Sequence, residues 1–264
     1  MLSIFQWFGY RELGAAESFR LIRQAGFDAV LLWWDDEPDP DYRKQPELAR
    51  REGLFVENIH APLADSSHIW EDTAAGQAFF ELLLRCVDDC AAFEIPTMVV
   101  HPSFGINRID EMPPASALGL ERFARIVSRA EQKNINVAME NLLNPGPNAL
   151  AAQILEQIDS PRLGLCFDSG HYNACKDKSP EFDLFARFGK RLMALHLHDN
   201  DGSGDQHRLP FEGIIDWPAL MKQIAQTGYA GPTTLELGVY AELGPEEYLA
   251  IAYERAKQLK ELRT

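Results

Sequence analysis

Leu163-Gly164-Leu165-Cys166-Phe167-Asp168-Ser169-Gly170-His171 is an apolar run that ends abruptly in an acid, two small residues and a histidine. Its first six residues lack strict apolar–polar alternation, the pattern of a parallel strand buried on both faces. Comparable runs lie upstream at Ser3–Trp7, Ala29–Trp33, Leu54–His60, Thr97–His101 and Asn136–Glu140, and downstream at Leu192–His198 and Thr233–Leu237. Longer stretches between them, such as Ala75–Phe93 and Leu118–Lys133, carry apolar residues at helical spacing. Gly26, Gly53 and Gly228 stand just before strands, where a helix-terminating glycine belongs. Asp216 ahead of Trp217 and Pro218 reads as an N-cap followed by a first-turn proline. Eight strands alternating with helices predict an α/β protein forming a single (β/α)8 barrel over residues 1–264. An open doubly wound sheet would want a Gly-rich phosphate turn after an early strand, and Trp7-Phe8-Gly9-Tyr10 offers none.

Composition narrows the function classes. The 264 residues suit one barrel, whose usual length is about 250 residues. Forty acids against 25 Lys and Arg set the net charge at −15, and no basic run is present, which disfavours a nucleic-acid partner. No apolar run approaches the roughly 18 residues of a membrane span. Met1–Tyr10 does not read as a signal peptide. Cys86, Cys90, Cys166 and Cys175 form no C-x-x-C pair, and a reduced, cytoplasmic protein is expected.

The polar residues fall at the strand ends. Six consecutive runs close on potential ligands: His60, His101, Glu140, Asp168 with His171, His196 followed by Asp205 and His207, and Glu236. A single such residue is ordinarily a hydrogen-bonded packing group. Charges inside a barrel are costly unless paired or bound to a cation, however, and the C-terminal strand ends converge on one face that hosts active sites. Together they predict a divalent-metal site. Mixed imidazole and carboxylate ligation suits manganese, zinc, cobalt or iron better than calcium or magnesium, and no cysteine falls among the candidates. Trp7 and Trp33 lie where the first two strands end and offer aromatic walls for a sugar ring. Arg208 offers a partner for a substrate carboxylate or phosphate. His198 sits two residues beyond His196, on the same side of the strand.

Phe167-Asp168-Ser169-Gly170-His171, His196-Leu197-His198-Asp199, Asp205-Gln206-His207 and Gly213-Ile214-Ile215-Asp216-Trp217 resemble the xylose isomerase-like TIM-barrel superfamily along nearly the whole chain. In its sugar-enzyme branch the resemblance implies one divalent ion on Glu140, Asp168, His196 and Glu236, with His171 contacting substrate. It implies an isomerase or epimerase of a small sugar, sugar phosphate or polyol ketone. There Glu140 and Glu236 move a proton beside a carbonyl, through an enediolate. In the endonuclease IV branch nine residues hold three zinc ions around a phosphodiester. His60, His101, Glu140, Asp168, His171, His196, Asp205, His207 and Glu236 resemble that set, so a multi-zinc phosphodiesterase stands as the alternative. A sugar-binding barrel without catalysis is a third. Barrels of this type often form homo-oligomers.

Overall fold

The computed structural model describes residues 1–35, 39–104, 115–238 and 242–263. In chain order the elements are β1 (Leu2–Phe5), α1 (Ala15–Ala25), β2 (Ala29–Trp33), α2 (Gln45–Arg51), β3 (Phe55–His60), α3 (Ala74–Ala92), β4 (Thr97–Val100), α4 (Ala117–Lys133) and β5 (Asn136–Glu140). They continue with α5 (Pro145–Gln157), β6 (Leu163–Asp168), α6 (Ser169–Ala174), α7 (Leu184–Phe188), β7 (Leu192–His196), α8 (Trp217–Thr227), β8 (Thr233–Leu235) and α9 (Pro245–Leu262). All pairings are parallel, in the order β7-β6-β5-β4-β3-β2-β1-β8. The ring closes where Leu197 bridges Leu235, with Leu197 N–H donating to Thr234 O (2.9 Å) and Glu236 N–H to Leu197 O (3.2 Å). The fold is a (β/α)8 barrel.

Four strands stop short of the expected ends, β4 by one residue, at Val100. β1 stops at Phe5 because Phe8 N–H donates to Phe5 O and Tyr10 N–H to Trp7 O, folding the chain into consecutive turns. β7 ends at His196 and β8 at Leu235, where the closing bridge replaces a continuous ladder. The helix punctuation follows from local chemistry. Gly26 adopts φ 109°, a left-handed conformation that side chains rarely reach, and Asp216 accepts from Ala219 N–H at 3.0 Å.

Most of the core lies between the barrel and its helices, in an apolar layer that includes Phe19, Phe27, Phe80, Phe123 and Tyr248. Within the barrel two smaller groups differ in character. Val99, Ala138, Cys166 and Ala194 from β4 to β7 form a floor of small side chains. Phe5, Trp7 and Leu31, with Trp33 against them, form an aromatic wall at β1 and β2. Small residues on one half leave room for polar groups above them, while large rings fill the other half.

Candidate active site

The polar half is built from β3 to β8. His60 ends β3, Glu140 ends β5, Asp168 ends β6 and His196 ends β7; His101 and Glu236 follow β4 and β8 by one residue. Glu140 is 1% exposed, and Asp168 and His196 are fully buried. Buried ionisable groups need partners, and here they supply one another.

Donor atoms of Glu140, Asp168, His196 and Glu236 all lie within 4.8 Å of one another. His196 Nδ1 stands 2.9 Å from Glu236 Oε2 and 3.5 Å from Glu140 Oε2, so it joins the two glutamates. A second set shares Glu140. His60 Nε2 to His101 Nε2 is 3.2 Å, His101 Nε2 to Glu140 Oε2 is 3.2 Å, and His60 Nε2 to Glu140 Oε2 is 3.3 Å. Donors about 2.0–2.1 Å from a tetrahedral ion stand about 3.3–3.4 Å apart, so this triangle fits a divalent ion. A third set gathers on Asp205, whose Oδ2 lies 3.0 Å from His207 Nε2 and 3.3 Å from His171 Nε2. His198 joins it, with Nε2 3.5 Å from Asp205 Oδ1.

Ring orientation supports the same fit. His60, His171 and His207 each donate Nδ1–H to a backbone carbonyl, of Ala61 (2.9 Å), Asn141 (3.0 Å) and Glu236 (3.0 Å) respectively. That bond orients each ring with Nε2 facing the carboxylates, as ligand histidines are usually held. His101 Nδ1 is buried without a hydrogen bond among the described residues, and His196 Nδ1 faces carboxylate oxygens of both Glu140 and Glu236. A cation shared by His196 Nδ1 and the two glutamates would be held by one nitrogen and two carboxylate donors.

Electrostatics hold the carboxylates ready. Burial opposes ionising Glu140, but His196 and His101 hold its pKa well below the ordinary range. Burial also opposes ionising Glu236, and His196 outweighs it in the same direction. Burial lowers the pKa of His101, keeping it neutral and able to coordinate. His171 runs the other way: its burial is outweighed by Asp168, Asp205 and Glu140, and its pKa is well above the imidazole value. Cys166 corrects the expectation that no cysteine enters the site. Its Sγ lies with donor atoms of Glu140 and His196 inside 4.8 Å, although burial pushes the thiol up to about 12 and so keeps it protonated.

His207 has φ 46°, the left-handed region uncommon for a side chain of this size. The turn lets it bridge Glu236 O and Asp205 at once. Burial opposes its charge, but the hydrogen bond that Nε2–H donates to Asp205 carries its pKa up to about 9. A raised histidine pKa contributes stability fully below the unfolded value of about 6.5, and loses it as pH rises through the folded value. In chelator-treated protein the melting temperature is therefore expected to fall between pH 7 and 10, and His207→Gln should flatten that alkaline limb. An unchanged limb in the variant would place the loss elsewhere.

One supporting residue was not legible in sequence. Asn141 clamps the backbone of Asp168 with two bonds, Nδ2–H to Asp168 O (2.9 Å) and Oδ1 from Asp168 N–H (2.8 Å). His198 Nε2 lies 3.1 Å from both oxygens of Asp168, and its ring stacks on His207 at 4.1 Å. Gly170 makes room for that ring, since a Cβ there would stand 1.9 Å from His198 Cε1. Ala is consequently expected at Gly170 only with His198 displaced, lowering stability by about 1–3 kcal/mol, measurable by thermal or urea unfolding.

Above these groups opens a cavity of about 370 Å³ lined by His60, His101, Glu140, His171, Asp205, His207 and Glu236 on the polar side. Trp7 and Trp33 line the opposite side, with Trp33 stacked on His60 at 5.0 Å. Arg208, expected as an anion partner, is not brought to this cavity: its guanidinium donates to Asp201 Oδ2 at 2.9 Å. The short antiparallel bridge between Asp199 and Arg208 carries that side chain away from the mouth.

A parallel barrel whose C-terminal rim gathers histidines and carboxylates defines the class, and sequence comparison agrees. The chain belongs to the xylose isomerase-like TIM barrel family, whose sequence profile matches residues 19–259. An uncharacterised protein of Sinorhizobium fredii is 28% identical over 94% of this chain and 89% of its own. Fructoselysine 3-epimerase of Shigella flexneri is 36% identical over about half of each chain, 53% of this one and 51% of its own. The crystal structure of a D-tagatose 3-epimerase-like protein superposes with a TM-score of 0.77 over 99% of this chain and 97% of its own, at 21% identity. Among the described residues no helix is long and apolar enough to cross a membrane.

Proposed function

We propose that this protein is a divalent-metal-dependent isomerase or epimerase acting beside the carbonyl of a small ketose. The observation that carries the reading is the pair of glutamates, Glu140 and Glu236, both lining one cavity and both facing His196. Glu140, Asp168, His196 and Glu236 would hold the ion, with manganese or zinc the best match to mixed nitrogen and oxygen donors. When bound, the ion supplies polarisation of the substrate's carbonyl and hydroxyl oxygens. Ionised at neutral pH, one glutamate takes the proton from the carbon beside the carbonyl. The other, after taking a proton from solvent, delivers it to the opposite face and inverts that carbon, and the first releases its proton to solvent. Trp7 and Trp33 would cover the apolar face of the sugar, and His171 would hydrogen-bond a hydroxyl. The epimerase names of a relative and a structural neighbour support this choice of substrate class.

A second reading, a multi-metal phosphodiesterase resembling endonuclease IV, is favoured by the two further donor sets. His60 and His101 with Glu140, and His171, His198 and His207 around Asp205, are more than one ion requires. Elemental analysis of purified protein separates the readings. Near one ion per chain, with ketose-dependent exchange of a carbon-bound proton in D2O, is the result expected for the epimerase. Near three ions with cleavage of an abasic-site duplex and no ketose exchange would replace it with the hydrolase.

A further inference from the structure

The cavity wall contains one feature that neither proton transfer nor metal ligation uses. Arg11 is the lone Lys or Arg among the described residues lining it. Its guanidinium carbon lies 5.1 Å from the centroid of the Trp7 ring, and Trp7 is 5% exposed, so the cation rests on a fixed, largely buried surface. No carboxylate among the described residues pairs with it. Arg208, by contrast, is already occupied by Asp201.

The backbone that presents Arg11 is also anchored. Phe8 and Gly9 adopt positive φ, 33° and 91°, and the turn is held by Phe8 N–H to Phe5 O and Tyr10 N–H to Trp7 O. Leu13 N–H then donates to Tyr10 O. Tyr10 is buried, and its hydroxyl donates to Leu243 O at 2.6 Å. An arginine on so constrained a turn loses less freedom on binding a ligand than one on a free loop.

Charge points to the kind of group it would meet. The floor of the cavity carries Glu140, Glu236 and Asp205, and the chain as a whole carries −15. An exposed guanidinium with no carboxylate partner among the described residues, at the mouth of such a site, offers the fork geometry that carboxylates and phosphates accept. We propose that Arg11 binds an anionic group, phosphate or carboxylate, on the substrate and selects acidic ketoses over neutral ones. The proposal rests on the ketose reading of the site and names the substrate class within it.

The test uses full-length, manganese-loaded protein and three probes: D-fructose, D-fructose 6-phosphate and the uronate D-fructuronate. Calorimetry gives the affinity of each, and proton exchange in D2O gives turnover. At least one anionic probe is expected to bind tenfold or more tightly than fructose, and Arg11→Gln should reduce that ratio at least fivefold. Which probe shows the effect assigns phosphate or carboxylate. Equal affinity for all three, no binding of either anionic probe, or a ratio unchanged in Arg11→Gln overturns the assignment. An Arg11-dependent ratio without exchange on any probe would instead retain Arg11 as an anion site and remove the epimerase reading.

Discussion

Glu236→Gln is expected to lower epimerisation of the ketose substrate by about 10²–10⁴-fold, the usual contribution of a positioned acid or base. The substitution keeps the volume of the side chain and an oxygen facing His196 Nδ1, 2.9 Å away in the parent, but it removes the exchangeable proton site. Because each glutamate serves one face, the variant should retain slow washing of solvent deuterium into the substrate on the face served by Glu140. Product with inverted configuration should fall by that factor while the exchange persists. Glu140→Gln is expected to be more severe, since Glu140 lies within reach of His60, His101, His171 and His196. Its loss would weaken ion binding as well as proton transfer. Full turnover in either metal-loaded variant would remove the two-glutamate mechanism.

The second large effect is on stability and concerns Asp199. Its side chain is fully buried and accepts four hydrogen bonds: Asn200 N–H (2.9 Å), Phe211 N–H (3.0 Å), Ile215 N–H (3.3 Å) and Trp217 Nε1–H (2.8 Å). These ties close the loop between β7 and α8, which carries Asp205 and His207 to the cavity. Gly213 is required by the same closure, as a Cβ there would stand 2.2 Å from Asp199 Oδ1. Asp199→Ala would strand buried donors, each costing about 1–3 kcal/mol when water cannot replace the partner. Part of that set would find water, so a net loss of about 3–5 kcal/mol is expected. For a chain of this size that corresponds to a melting temperature lower by roughly 10 °C. Asp199→Asn, which keeps acceptor oxygen on one arm, should lose less. A loss under about 1 kcal/mol in the alanine variant would show that the loop is held by other contacts.

Much of this protein was legible before any coordinates. Buried parallel strands advertise themselves through unbroken apolar runs, and the ends of β2, β5 and β6 fall where the pattern changes. Period-two alternation along a strand also carries a ligand inward together with its neighbour two residues on. That is why His198 keeps the side of His196 and reaches Asp168. The convergence of Glu140, Asp168, His196 and Glu236 follows from barrel closure, because equivalent strand ends must meet on one face.

Other features depend on separations that sequence does not encode. Nothing in Glu140-Asn141 announces that the asparagine clamps Asp168, twenty-seven residues away. Cys166 reads as one more apolar strand residue, yet its register beside Ala194 places it under the ligands. In sequence Arg208, next to His207, is the arginine that invites an anion-binding role, and Arg11 has no such neighbour. Loop path decides between them: the turn between Phe5 and Tyr10 lays Arg11 on Trp7, while the Asp199–Arg208 bridge ties the other arginine to Asp201. Sequence by itself determined the barrel and the ring of candidate ligands, because hydrophobic period and strand-end chemistry are local properties. Only the tertiary structure decided which donors share an ion-sized space, which histidine nitrogen faces it, and which arginine lines the cavity. Those depend on loop backbone and on hydrogen bonds between residues far apart in the chain.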